Sequence, residues 1–115
     1  MNIPVFARRN KYGNKKTEMD GITFDSKREA KRYAELNLLQ RGKVISDLQL
    51  QVEFQLIEPM RIAGKHYRAI IYRADFVYMQ DGKQVVEDAK GVRTDVFQIK
   101  KRLMKQVHGI DVVLV

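Results

Sequence analysis

Residues 72–90 read YRADFVYMQDGKQVVEDAK, two apolar-rich runs joined by Asp81-Gly82. Asp-Gly between alternating segments is the strongest short-range signal for a hairpin with a two-residue loop. Such a loop sets Gln80 opposite Lys83. Val77 then faces Val86, and Tyr78 faces Val85, so apolar groups meet apolar groups. The same register places Asp75 opposite Asp88, Arg73 opposite Lys90 and Ala74 opposite Ala89. Strict alternation puts Asp75, Val77, Val86, Asp88 and Lys90 on one face. Ala74, Tyr78, Val85 and Glu87 fall on the other.

Two carboxylates directly opposite on a sheet stand about 5 Å apart at Cβ and repel each other. A divalent cation between them reverses the sign of that interaction, and hard oxygen ligands suit Mg²⁺ or Mn²⁺. Aspartate is depleted in strands, so Asp75 within an apolar and aromatic run asks for a reason. Alternation turns Glu87 away and selects Asp88. Taken singly, either aspartate has a plainer reading as a surface ion pair with Arg73 or Lys90.

Working outward, Ser26-Lys27-Arg28-Glu29 has the capping-box pattern and opens a helix that runs to about Arg41, with Gly42 as its stop. Lys27, Arg28, Lys31, Arg32 and Glu35 gather on one polar side, while Glu29 lies between Tyr33 and Leu36, toward the apolar side. From the helix alone, Glu29 is a capping acid. Upstream, Asp20-Gly21 within Thr17–Phe24 signals a short hairpin. Leu48, Leu50, Val52, Phe54 and Leu56 alternate with polar residues and predict a half-buried strand that Glu58-Pro59 ends. Ala63-Gly64 marks a turn. A long strand is expected over Tyr67–Gln80 and another over Lys83–Lys90. A second helix is expected from Asp95 to about Val107, with Thr94 as its N-cap, and a closing strand over Ile110–Val115. The element order is α-β-β-β-α-β. It predicts an α/β fold, a mixed central β-sheet flanked by helices.

The chain has 115 residues and fits one domain spanning 1–115. Residues 1–16 lack periodicity and read as a flexible basic arm. Cysteine is absent, which excludes disulfide scaffolds, thiolate zinc sites and cysteine nucleophiles. His66 and His108 are too far apart in the chain to suggest a histidine metal site. No apolar run has membrane-spanning length, and a soluble cytoplasmic protein is the expectation. The formal net charge is +8, which favours a polyanionic partner, most often nucleic acid. The cations collect toward the ends: Arg8, Arg9, Lys15 and Lys16 in the arm, then Arg93, Lys100, Lys101, Arg102 and Lys105 after the hairpin. They are the candidate DNA-binding residues. Phosphate contacts of this kind position a substrate without reading its sequence.

The segments Phe24-Asp25-Ser26-Lys27-Arg28-Glu29-Ala30, Ala74-Asp75-Phe76 and Glu87-Asp88-Ala89-Lys90-Gly91, in that order, resemble the PD-(D/E)XK nuclease superfamily. Within it, the chain is most similar to small phage and prophage proteins described as endonuclease-like or Holliday-junction-resolvase-like. The resemblance covers about residues 12–115. It departs at Ala74, where the motif has proline. It implies a restriction-endonuclease-like core, with Asp75 and Asp88 as Mg²⁺ ligands (Mn²⁺ able to substitute), Glu29 as the helix acid and Lys90 as the motif lysine. Gln51, Glu87 and Gln98 are auxiliary candidates. The implied activity is metal-dependent endonucleolytic hydrolysis of branched or duplex DNA, structure-directed or weakly sequence-specific, leaving a 5′-phosphate and a 3′-hydroxyl. Cutting two strands needs two sites, so a homodimer is expected. The expected setting is the cytoplasm of a bacterial host. A nucleic-acid-binding protein without catalysis, a ribonuclease and a protein-binding accessory factor are the competing readings.

Overall fold

The computed structural model describes residues 16–89 and 93–115. Thr17–Met19 (β1) and Ile22–Phe24 (β2) form the expected hairpin, with Asp20 and Gly21 at positive φ in its turn. Lys27–Arg41 (α1) starts at Ser26, whose Oγ accepts the Glu29 N–H at 3.1 Å, and stops at Gly42. Then come Ser46–Ile57 (β3), Met60–Ile62 (β4), Lys65–Tyr67 (β5), Ile70–Gln80 (β6) and Lys83–Asp88 (β7). Asp95–Leu103 (α2) is capped by Thr94 Oγ1 and runs into a π-helical turn, Met104–His108. Gly109, in the left-handed region, ends it, and Val113–Leu114 (β8) closes the chain.

Four strands form the central sheet in the order β3-β6-β7-β8, with antiparallel pairs at β3–β6 and β6–β7 and a parallel pair at β7–β8. The architecture is mixed α/β, a mixed sheet with two helices. The Asp81-Gly82 loop sets the expected register, from Gln80↔Lys83 to Phe76↔Glu87. Three boundaries differ from the sequence reading. Pro59 has no N–H to give a ladder, so the run expected as one strand from Tyr67 is divided into β5 and β6. The second helix is α-helical only to Leu103, and the closing strand is two residues long.

Two apolar clusters occupy the two faces of the sheet. One, with Ala30, Leu36, Phe76 and Tyr78, lies under α1. The other, with Tyr72, Ala74, Val86, Phe97 and Met104, lies under α2. On β7 the faces alternate as they should: Val85 packs with the α1 cluster and Val86 with the α2 cluster. On β3 and β6 they do not. Leu50 packs under α1 and Val52 under α2; Ala74 packs under α2 and Phe76 under α1. Residues two apart in a regular strand share a face. Here both strands turn over between those pairs. The register is unchanged across the break, Leu50↔Phe76 and Val52↔Ala74, so no residue is inserted. Gln51, at φ 54°, absorbs the reversal, opposite Asp75. Uniform alternation, which placed Ala74 with Tyr78, is thereby corrected.

β3 is an edge strand, and side chains take part of its backbone. The Leu48 N–H donates to Gln40 Oε1 at 2.9 Å. His108 Nε2 lies 2.8 Å from the Gln55 carbonyl, which accepts its proton.

Candidate functional site

The reversal positions the acids. Glu29 enters from the first turn of α1, Asp75 from the middle of β6 and Asp88 from the last position of β7. Glu29 and Asp88 are buried and Asp75 is half-buried. The Gln51 amide joins two of them: Nε2 donates to Glu29 Oε2 at 3.0 Å and to Asp75 Oδ1 at 3.2 Å. The other oxygen of Asp75, Oδ2, accepts the Ala89 N–H at 2.9 Å. Asp88 Oδ2 accepts from the Tyr72 hydroxyl at 2.5 Å. Gln51 thus joins Glu29 to Asp75, and Asp88 lies near enough for its charge to act on Glu29.

The electrostatics follow from crowding. The Glu29 carboxyl is raised to about 7, first by burial and then by the negative charges of Asp75, Asp25 and Asp88; a backbone hydrogen bond at Asp25 partly offsets this. That bond is close to the reach-back contact of a capping box, so Glu29 serves both as a helix cap and as a member of the cluster. Burial, together with the bond to Asp88, pushes the Tyr72 phenol well above its ordinary range, so it stays a donor.

Glu87 lies on the opposite face, as alternation requires. It accepts Arg32 Nε at 2.9 Å, Arg32 Nη2 at 2.6 Å and the Tyr78 hydroxyl. This bidentate pair ties α1 to β7 one helical turn beyond Glu29. Glu87, expected as an auxiliary residue, anchors the helix that carries the first acid. Gln98 is half-buried in the first turn of α2, outside the chain of bonds from Glu29 through Gln51 and Asp75 to Ala89.

Several expected phosphate-binding cations have partners within the chain. Lys16 pairs with Asp25 at 3.0 Å and Lys105 with Asp111 at 2.9 Å. Lys100 Nζ donates to the Ile71 carbonyl at 2.8 Å. Arg93 and Arg102 are exposed and Lys101 is half-buried. Arg8, Arg9, Lys15, the rest of the expected arm and the motif lysine, Lys90, lie outside the described residues. Sequence reasoning missed Tyr72, whose even number put it on the wrong face, and Arg32, read as solvated. The parity error had no local signal, because glutamine is not a residue that ordinarily marks a left-handed position.

Among the described residues no group of three or more His, Cys, Asp or Glu is placed to enclose an ion together. In their place an amide bridges two of the acids. The donor set is nevertheless made of hard oxygens with surplus negative charge, the chemistry that a divalent cation neutralises.

A family described as protein of unknown function (DUF1064) matches residues 9–113, and the chain belongs to that family. No curated protein and no solved structure matches it. No helix among the described residues is long and apolar enough to cross a membrane.

Proposed function

We propose that this protein is a metal-dependent endonuclease of DNA, with a restriction-endonuclease-like core and its site at Glu29, Asp75, Asp88 and Lys90. The observation that carries the proposal is the convergence of three carboxylates from three elements beside the point where β3 and β6 both turn over. Like charges gathered near one another and half sunk into a protein are destabilising unless something positive arrives. A left-handed glutamine at the same point stores backbone strain, and strain of that kind collects at functional sites.

Asp75 and Asp88, with Glu29, would hold Mg²⁺ or Mn²⁺, the Gln51 amide giving up its place between Glu29 and Asp75. Bound there, the ion would stabilise charge on the scissile phosphate and lower the pKa of a water. The protein's own groups do the rest. Tyr72 fixes Asp88 through Oδ2, and the Ala89 N–H fixes Asp75 through Oδ2, so both carboxylates are oriented before substrate arrives. Without a cation Glu29 is raised to about 7 and exchanges a proton at neutral pH, so an ion held there would displace that proton. Gln51 Nε2, once released, has two N–H groups to offer a phosphate oxygen. Lys90 would stabilise the developing negative charge.

The test is cleavage of labelled linear duplex, single-stranded, flap and four-way-junction DNA with Mg²⁺ or Mn²⁺, alongside EDTA and Asp88→Ala controls. Metal-dependent cutting that Asp88→Ala abolishes is the expected result, and the substrate cut fastest identifies the preferred structure. Protein that binds DNA yet leaves every substrate intact, with wild type and variant alike, replaces the nuclease with a binding protein.

A further inference from the structure

β4 and β5 form a sheet of their own, yet they are the tip of a longer hairpin. Ile57 pairs with Ile70 at the end of β3–β6, and Met60 pairs with Tyr67 beyond Pro59 in the same register. The turn at the tip has Ala63 and Gly64 both at positive φ, and Arg61 Nη1 closes it on the Gly64 carbonyl at 3.0 Å. Every residue from Glu58 to Arg68 is exposed, including Met60, Ile62 and Tyr67. A two-stranded ribbon whose residues are all exposed among the described residues is marginal in water, so its retention calls for a partner.

The sequence of the tip states the chemistry of that partner. Arg61, Lys65 and Arg68 face only Glu58 in opposition. Pairing puts Met60, Ile62, Lys65 and Tyr67 on one side of the ribbon and Arg61 and His66 on the other. Lys65 Nζ lies over the Tyr67 ring, 5.4 Å from its centroid. A second copy of the chain would bring like charges together, whereas a polyanion meets cations on both sides. The shape is also specific. The B-DNA major groove, about 12 Å wide, admits a two-stranded ribbon, while the major groove of A-form RNA is too narrow for side chains to read. The strand path from Asp75 back to His66 spans nine residues. At about 3.3 Å each that is roughly 30 Å, close to one turn of duplex.

We propose that the β4–β5 hairpin is a groove-binding ribbon for duplex DNA, engaging the substrate about one helical turn from the acidic cluster. The proposal rests on DNA as the substrate of the site above, and its test separates the two. Fluorescence anisotropy in EDTA, where cutting is not needed, would compare wild type, Arg61→Ala/Lys65→Ala/Arg68→Ala and Ile62→Ala/Tyr67→Ala on a labelled DNA duplex and an RNA duplex of the same sequence. All five side chains are exposed, so the variants should retain the wild-type circular dichroism and Tm.

The triple variant should bind DNA at least about tenfold more weakly, with the slope of log K against log salt reduced by about 2 to 3, at about 0.9 per phosphate lost. Ile62→Ala/Tyr67→Ala should lose several-fold in affinity with the slope unchanged, and wild type should prefer DNA to RNA. Wild-type affinity in the triple variant, equal loss on RNA, or a dimer that Ile62→Ala/Tyr67→Ala dissociates would each overturn the proposal. Asp88-dependent cutting with a ribbon that does not matter for binding removes this inference and keeps the nuclease. Ribbon-dependent binding without cutting does the reverse.

Discussion

Glu87 and Asp88 are neighbours on β7, 1% and 2% exposed, and they teach opposite lessons. On the α1 face Glu87 meets a guanidinium in two bonds and a phenol in a third. Its charge is matched and its lone pairs are filled, and the pair fastens helix to sheet. On the other face Asp88 accepts from a phenol, and its charge adds to those of Asp75 and Asp25 in raising Glu29. Burial of an acid therefore does not mark function. The sign of the charges around it separates an anchor from a candidate site.

The sharpest way to break this contrast is to neutralise each acid in turn. Asp88→Asn should lower cutting by more than about a hundredfold while leaving Tm within a few degrees, because it removes like-charge repulsion. Glu87→Gln should cost about 3 kcal/mol, since it leaves Arg32 beside a buried group that no longer balances it, yet should retain cutting at low temperature. If denaturant titration and kinetics show these outcomes exchanged, the two roles have been assigned the wrong way round. Mg²⁺ should then raise Tm, by about 2.7 kcal/mol of stabilisation at a hundred times its Kd. Asp75→Asn or Asp88→Asn should abolish that rise.

A smaller effect is carried by Glu29. Its carboxyl is held near 7 in the folded chain against an ordinary 4.5, so the folded state keeps a proton that the unfolded state has released between those values. Stability without metal should fall as pH rises from about 4.5 to 7 and level off beyond. Thermal melts of Glu29→Gln should show that slope flattened, with a higher Tm than wild type at pH 8. The smallest effect belongs to the exposed pairs: Lys16→Ala and Lys105→Ala should each change stability by less than about 0.5 kcal/mol.

Much of this arrangement was legible. Asp81-Gly82 set the β6–β7 register from Gln80↔Lys83 to Phe76↔Glu87, which stops one pair short of Asp75 and Asp88. Ser26 and Gly42 marked the ends of α1. The helix pattern alone read Glu29 as a capping acid, and only the resemblance set it beside Asp75 and Asp88, because its hydrogen-bond partner Gln51 comes from an element 22 residues away. The reversal at Gln51 was invisible to a period-two pattern: Leu48 to Leu56 keep perfect alternation in sequence while changing faces in space. The tip hairpin was hidden by its brevity, since three-residue strands carry too few positions for a pattern to register.

The edge of β3 has one more consequence. Twelve residues with an alternating apolar pattern on a free edge are what fibril growth recruits. Here Gln40 holds a backbone donor near one end, His108 covers an acceptor near the other, and the turn-over at Gln51 lies between them. A strand arriving in any register meets a plugged hydrogen bond or a change of face. The folded chain should therefore stay dispersed and fail to bind amyloid dyes during long incubation at high concentration, and His108→Ala should make dye binding appear within the same incubation.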